Sequence, residues 1–95
     1  MIRFQPRLVL LVTFAAFCVA SAARADDPPI RALLVAGGCC HDYKHQKEIL
    51  TEGISARANV EWAIAYDPDS GTNHLNPVYE KDDWAKGFDV VMHDE

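Results

Sequence analysis

Residues 30–43 run Ile30–Ala36 (IRALLVA) into Gly37–Tyr43 (GGCCHDY), and the reading of this stretch decides the fold. The first part is a nearly continuous apolar run, as expected for a strand covered on both faces of a parallel sheet. Gly37 and Gly38 end it with a backbone turn. From about Tyr43 to Arg57 the spacing becomes helical. Leu50, Ile54 and Ala58 form one stripe, Ile49, Gly53 and Ala56 flank it, and Lys44, Lys47, Glu48 and Glu52 take the wet side. A helical glycine costs ~1 kcal/mol against alanine, and close packing of Gly53 on the sheet is the expected compensation.

Outward from this unit, Asp26–Pro29 is a polar, proline-stiffened lead-in, and Asn59 stops the helix. Val60–Tyr66 (VEWAIAY) reads as a second strand, and Asp67–Asn76 is loop by composition. Asp82–Phe88 is expected to form a short helix stopped by Gly87, and Asp89–His93 a third strand. Helices between strands imply right-handed crossovers and an α/β parallel sheet. The expected strand order is 2-1-3, a flavodoxin-like arrangement with a ligand crevice at the carboxyl ends of strands 1 and 3. Three strands with no following helix leave one face and one edge bare, so residues 26–95 read as the N-terminal part of a larger domain.

Charge divides the chain in two. All 14 acidic residues and only six of the nine basic ones lie from Asp26 onward, giving that part a net charge of −8. So acidic a surface does not coat a phosphate backbone, which excludes nucleic-acid binding through a basic face. Arg3, Arg7 and Arg24 belong to the first 25 residues, which carry no acid. There, Leu8–Ala20 is an uninterrupted apolar stretch, and Ala23-Arg24-Ala25 is an A-x-A cleavage site. As a helix the stretch would cover ~20 Å, short of the ~30 Å bilayer core. Residues 1–25 therefore read as an export signal, with the mature protein starting at Asp26 outside the cytoplasm and keeping no membrane anchor. Cys18 leaves with that signal. Cys39 and Cys40 then meet an oxidising compartment, where a bridge between neighbours demands a strained ring. The expectation is that they stay reduced and buried, or that one pairs beyond residue 95.

At the crevice, the strand 1 turn supplies Gly37, Gly38, His41, Asp42 and Tyr43, and the end of strand 3 supplies His93 and Glu95. The glycines let a backbone approach a ligand, and the helix N-terminus favours anions. His41 and His93 are the candidate catalytic pair, since an unperturbed imidazole titrates near ~6.5. Asp42 and Glu95 are candidates to orient them, and Tyr43 to contact substrate.

The pattern LLVAGGCCHDYKHQKEIL, with DVVMHDE some fifty residues on, resembles the ThuA-like (trehalose-utilisation) family. The resemblance covers roughly residues 30–95 and rests on Leu33–Ala36, Gly37, Gly38, His41 and Asp89–His93. It implies a class I glutamine amidotransferase-like fold, an exported protein, and a link to disaccharide or ketosugar metabolism with no assigned reaction. A non-catalytic binding module on the same fold is the alternative, because fold alone carries no activity. Glutaminase chemistry does not carry over. Gly37-x-Cys39 lacks the second glycine of the elbow, where His41 stands, and the turn follows strand 1; Cys39 with His93 as base is the minor nucleophile reading.

Other groupings are weaker. His41 and His45 share a helix face only if the helix includes His41, and Asp42 is the more natural N-cap. That leaves His41, Asp42, His93 and Glu95 as conceivable ligands, no metal assigned, and no particular cofactor indicated. Asp67-x-Asp69-x-Gly71-x-Asn73 departs from a calcium loop in its glycine position and in Val78, where a bidentate glutamate is required. His45 and His74 read as exposed residues. Trp62 and Tyr66 lie on one strand face and should pack under a helix, while Trp84 should anchor its own short helix.

Overall fold

Residues 27–95 are described by a computed structural model; the export-signal reading of residues 1–25 lies outside the described residues. β1 (Ile30–Gly37) is followed by α1 (Tyr43–Ser55), β2 (Val60–Asp67), a 3-10 turn (Pro77–Glu80) and β3 (Val90–Asp94). The sheet is parallel with order β2-β1-β3, the flavodoxin-like α/β arrangement. β1 is central because it is the apolar run. Ala32, Leu33, Leu34, Val35 and Ala36 are all buried, and with Tyr43 they form the core.

α1 covers one face of this sheet. Asp42 caps it, its side chain accepting from the His45 backbone N–H and pairing with the His45 ring at 2.6 Å. That hydrogen bond and the imidazole's charge hold the Asp42 carboxyl below its ordinary range. At the far end the Arg57 guanidinium donates to the Gly53 carbonyl at 2.7 Å, satisfying a helix-end acceptor. The inner face differs from the expected one. Tyr43 is buried, Lys47, Leu50 and Ile54 are partly covered, and Ile49 is 68% exposed. Tyr43 sets that stripe, and positions 47, 50 and 54 follow it at helical spacing. Lys47 is thus a sheet-side residue, its ammonium 5.4 Å from the Tyr66 ring centroid, with its stem covering apolar surface. Gly53 has no atom within 4 Å of where a Cβ would stand, so close packing does not explain it. Trp62 lies under the helix as its spacing indicates, its indole donating to Ser55 Oγ at 3.0 Å.

The β2–β3 connection lies on the other face. Asp82–Phe88 is a run of turns rather than an α-helix, with Trp84, Lys86 and Phe88 each donating to the carbonyl three residues back. So short a segment, with Gly87 at φ +89°, does not repay helix nucleation. β3 begins one residue later than expected because Asp89 is used otherwise. Its N–H donates to the Arg31 carbonyl at 2.7 Å, and its carboxylate accepts from the Arg31 N–H at 2.8 Å. The same carboxylate pairs with the Arg31 guanidinium at 3.4 Å. The ladder then runs from Ala32 opposite Val90 to Ala36 opposite Asp94.

Candidate functional site

The carboxyl ends of the three strands meet at a cavity of about 300 Å³. Gly37, Gly38 and Cys39 form one wall, Asp67, Gly71 and Thr72 another, and His74, Asn76 and Glu95 close it. Gly37 makes the closure possible. It has φ +138°, and a Cβ there would run into the Asp67 carbonyl oxygen and stand 3.3 Å from the Asp67 nitrogen. Only glycine takes that backbone conformation at little cost. Gly38, at φ +111°, faces the buried Tyr43 ring.

The β2–β3 loop is folded by its own acids. Asp67 accepts from the Asp69 N–H at 3.1 Å, and Asp69 accepts from the Gly71 N–H at 2.8 Å. His74 sits between the two carboxylates, with Nε2 on Asp67 and Nδ1 3.3 Å from Asp69. Nε2 is hydrogen-bonded to Asp67, while the Asp69 carboxylate stands near Nδ1 as a charge partner, so both acids favour the protonated ring. Asp67's hydrogen bond raises the His74 pKa above its ordinary 6.5, and the charges of Asp67 and Asp69 add to this. The Asp69 backbone N–H, with help from His74, lowers Asp67 below 3.8. Asn76 completes the closure. Its Nδ2 donates to the Ala65 carbonyl at 2.9 Å and reaches the Ala36 carbonyl at 3.5 Å, while its Oδ1 accepts from the Val78 N–H.

Beside the cavity stands a second cluster. Glu95 Oε1 accepts from the Tyr79 hydroxyl and lies 3.2 Å from His93 Nδ1, and Nδ1 is 3.0 Å from the Tyr79 oxygen. Trp84 packs edge-on against both rings, with centroids at 4.9 Å from Tyr79 and 6.0 Å from His93. Burial, reinforced by Glu95, pushes the Tyr79 phenol up to about 12, so it stays protonated near neutral pH.

Comparison with protein-family models, curated proteins and solved structures gives no match to this chain.

Of the residues read as site candidates, Gly37, Gly38 and Glu95 line the cavity. Asp42 is the helix cap, and Tyr43 is 7% exposed, its hydroxyl on the Cys39 carbonyl at 3.3 Å. His41 stands exposed in the turn with its ring edge-on to Tyr43, on the α1 side. His93 faces the connection, whereas Asp94 beside it turns to α1. With its amide nitrogen turned inward, Gln46 donates to both Asp94 oxygens at 3.1 and 3.2 Å. The two histidines therefore share an end of the sheet but serve different faces, with no hydrogen bond or ring contact joining them among the described residues.

Three residues depart from their expected roles. Cys39 and Cys40 are placed as a disulfide with each other, with Cys40 exposed rather than buried. The left-handed φ of +86° at Cys40 sets the backbone that accommodates the pair. In that state Cys39 offers no thiol for nucleophilic attack. His74, read as a plain loop residue, is part of the cavity wall. Its signal was the pair Asp67 and Asp69 a few residues before it, the same acids that resemble a defective calcium loop. Among the described residues no group of three or more histidine, cysteine or acidic side chains is arranged to hold a metal ion.

Proposed function

We propose that this chain is an exported ThuA-like domain protein whose cleft takes a small polyhydroxylated ligand, a disaccharide or ketosugar, with no reaction yet assigned. One observation carries the reading. The 300 Å³ cavity lies at the carboxyl ends of parallel strands, where open α/β sheets bind ligands. Its wall offers a carboxylate at Glu95 and a hydroxyl at Thr72, with glycine backbone beside them. These groups suit hydroxyl-rich ligands, and the acidic balance of the chain disfavours anionic ones. The sequence of residues 1–25, read as an export signal, supports a mature chain that starts at Asp26 in the periplasm or outside the cell.

A second reading, a non-catalytic binding module on the same fold, draws support from the internal bonding of Asp67, Asp69, His74 and Asn76. Those side chains are committed to holding the cleft's shape. Titration of the exported chain with trehalose and with D-fructose, followed by amide NMR shifts, tests the ligand class. Shifts confined to Gly37, Gly38, Thr72, His74 and Glu95 are expected. Shifts absent at saturating sugar, or scattered away from the strand ends, refute the assignment.

A further inference from the structure

The turn between β1 and α1 carries a bridge whose two ends are chain neighbours. Cys39 and Cys40 have Cα atoms 3.7 Å apart, closer than the ~4.4–6.8 Å at which disulfides usually close. A bridge so placed is more easily reduced than an ordinary one. Cys40 is also exposed, so a thiolate from solution can reach the pair. Strained or exposed disulfides are the labile, regulatory ones, whereas structural bridges resist reduction. The backbone carries a second mark of constraint. Cys40 has φ +86°, and among the described residues it is the only non-glycine in the left-handed region. A residue with a side chain stays there only where its surroundings impose it.

Those surroundings tie the bridge to the cleft. Cys39 is part of the cavity wall, beside Gly37 and Gly38. The buried Tyr43 donates its hydroxyl hydrogen to the Cys39 carbonyl at 3.3 Å, and Asp42 is held by its cap on α1. Turning φ at Cys40 rotates the planar peptide group that joins the two cysteines, and the Cys39 carbonyl belongs to that group. A change at Cys40 therefore reaches the wall and Tyr43 without displacing β1 or α1.

We infer that the Cys39–Cys40 disulfide is a redox-modification site that sets the shape of the cleft wall, with a dithiol as its co-reactant. The inference stands on the cavity's geometry and does not depend on which ligand the cleft takes. One thiolate of the dithiol attacks Cys40 Sγ, the S–S bond breaks, and its electron pair leaves on Cys39 Sγ, which takes a proton. The second thiolate displaces Cys40 Sγ from the mixed disulfide in the same way. Two electrons pass to the pair, the dithiol ends as its own disulfide, and its two protons end on the cysteines. Freed of the bridge, Cys40 returns to negative φ, the Cys39 carbonyl swings off the Tyr43 hydroxyl, and the wall at Cys39 changes shape.

The test holds the exported chain in mixtures of reduced and oxidised dithiothreitol, with thiols counted by N-ethylmaleimide and peptide mass, and amide NMR recorded on the same samples. The oxidised chain should take no maleimide on the peptide carrying Cys39 and Cys40, and the reduced chain should take two groups there. Reduction should shift the amides of Gly38, His41, Tyr43 and Thr72, leave Glu52–Ser55 at the far end of α1 in place, and reverse on oxidation. The double variant Cys39→Ser, Cys40→Ser should show the reduced spectrum in both buffers. Maleimide uptake before any reductant overturns the disulfide itself. Shifts confined to the two cysteines overturn its coupling to the cleft. Loss of amide dispersion throughout the chain on reduction makes the bridge a structural staple and overturns the switch. A double-serine variant with the oxidised spectrum shows that the bridge does not set the wall.

Discussion

Replacing Gly37 with alanine should cost an amount comparable to the whole stability of this small unit. The residue sits at φ +138°, a region that costs a side-chain-bearing residue about 1–3 kcal/mol. The added methyl also has no room, because backbone rather than a flexible side chain stands against it, at Asp67. Forcing β2 away from β1 at that point adds an overpacking cost of about 1–3 kcal/mol. The sum, about 2–6 kcal/mol, is comparable to the ~3–5 kcal/mol that a single core of this size supplies. Gly37→Ala should therefore lose hydrogen-exchange protection throughout β1 and β2. Gly53→Ala is the matched control. Nothing lies within 4 Å of its Cβ position inside α1, so alanine should stabilise by about 0.5–1 kcal/mol and raise protection. Retention of wild-type protection in Gly37→Ala would refute the claim that this glycine sets the approach of the two strands.

Asn76→Ala should loosen the cavity mouth, since the carbonyl of Ala65 loses its 2.9 Å donor and the Val78 N–H its acceptor. About 1–3 kcal/mol of local stability is at stake, visible as faster exchange at Val78 without change in α1. The Asp67–His74 pair should make the loop's hold depend on pH from both sides. Asp67, lowered in the fold, contributes above its unfolded value of 3.8 and loses that contribution as pH falls through its folded pKa. His74, raised in the fold, contributes fully below 6.5 and loses that contribution as pH rises through its folded pKa. The loop should thus be held best between about 4 and 6.5. An NMR titration in which His74 has its midpoint at or below 6.5 would contradict the pairing.

Much of the architecture was legible because β1 is so plainly apolar. A central parallel strand needs side chains on both faces that avoid water, and Ala32–Ala36 meets that need without reference to neighbours. The Asp42 cap was legible for a similar reason, being a local contact across three residues. The helix's inner face was harder to read. Counting Lys47 as wet ignored its long aliphatic stem, and counting Ile49 as covered ignored that Tyr43 sets the stripe. Asp82–Phe88 has helix-like composition but lacks the length that cooperative helix formation requires. Cavity walls were least accessible. His74 acts through Asp67 seven positions back, Asn76 through Ala65 on β2 eleven positions back, and Tyr79 meets His93 across 14 positions. No local periodicity encodes such meetings; they depend on how the connection crosses the sheet.

The pincer between Asp89 and Arg31 has a consequence at the opposite end of the molecule. It is a vernier stop for β3. Residue 89 clasps residue 31 twice, its N–H on the Arg31 carbonyl and its carboxylate on the Arg31 N–H, so the pairing after it has one starting position, Ala32 with Val90. Side chains alternate along a strand, so sliding β3 by a single residue would exchange the faces of His93 and Asp94. The imidazole would then turn toward Gln46, and a carboxylate would be thrust among Tyr79 and Trp84. A salt link at the amino edge thus governs, about four residues away, which chemistry is dealt to which side of the sheet. Selection acting on the cleft would be felt at Arg31 and Asp89, although neither lines it.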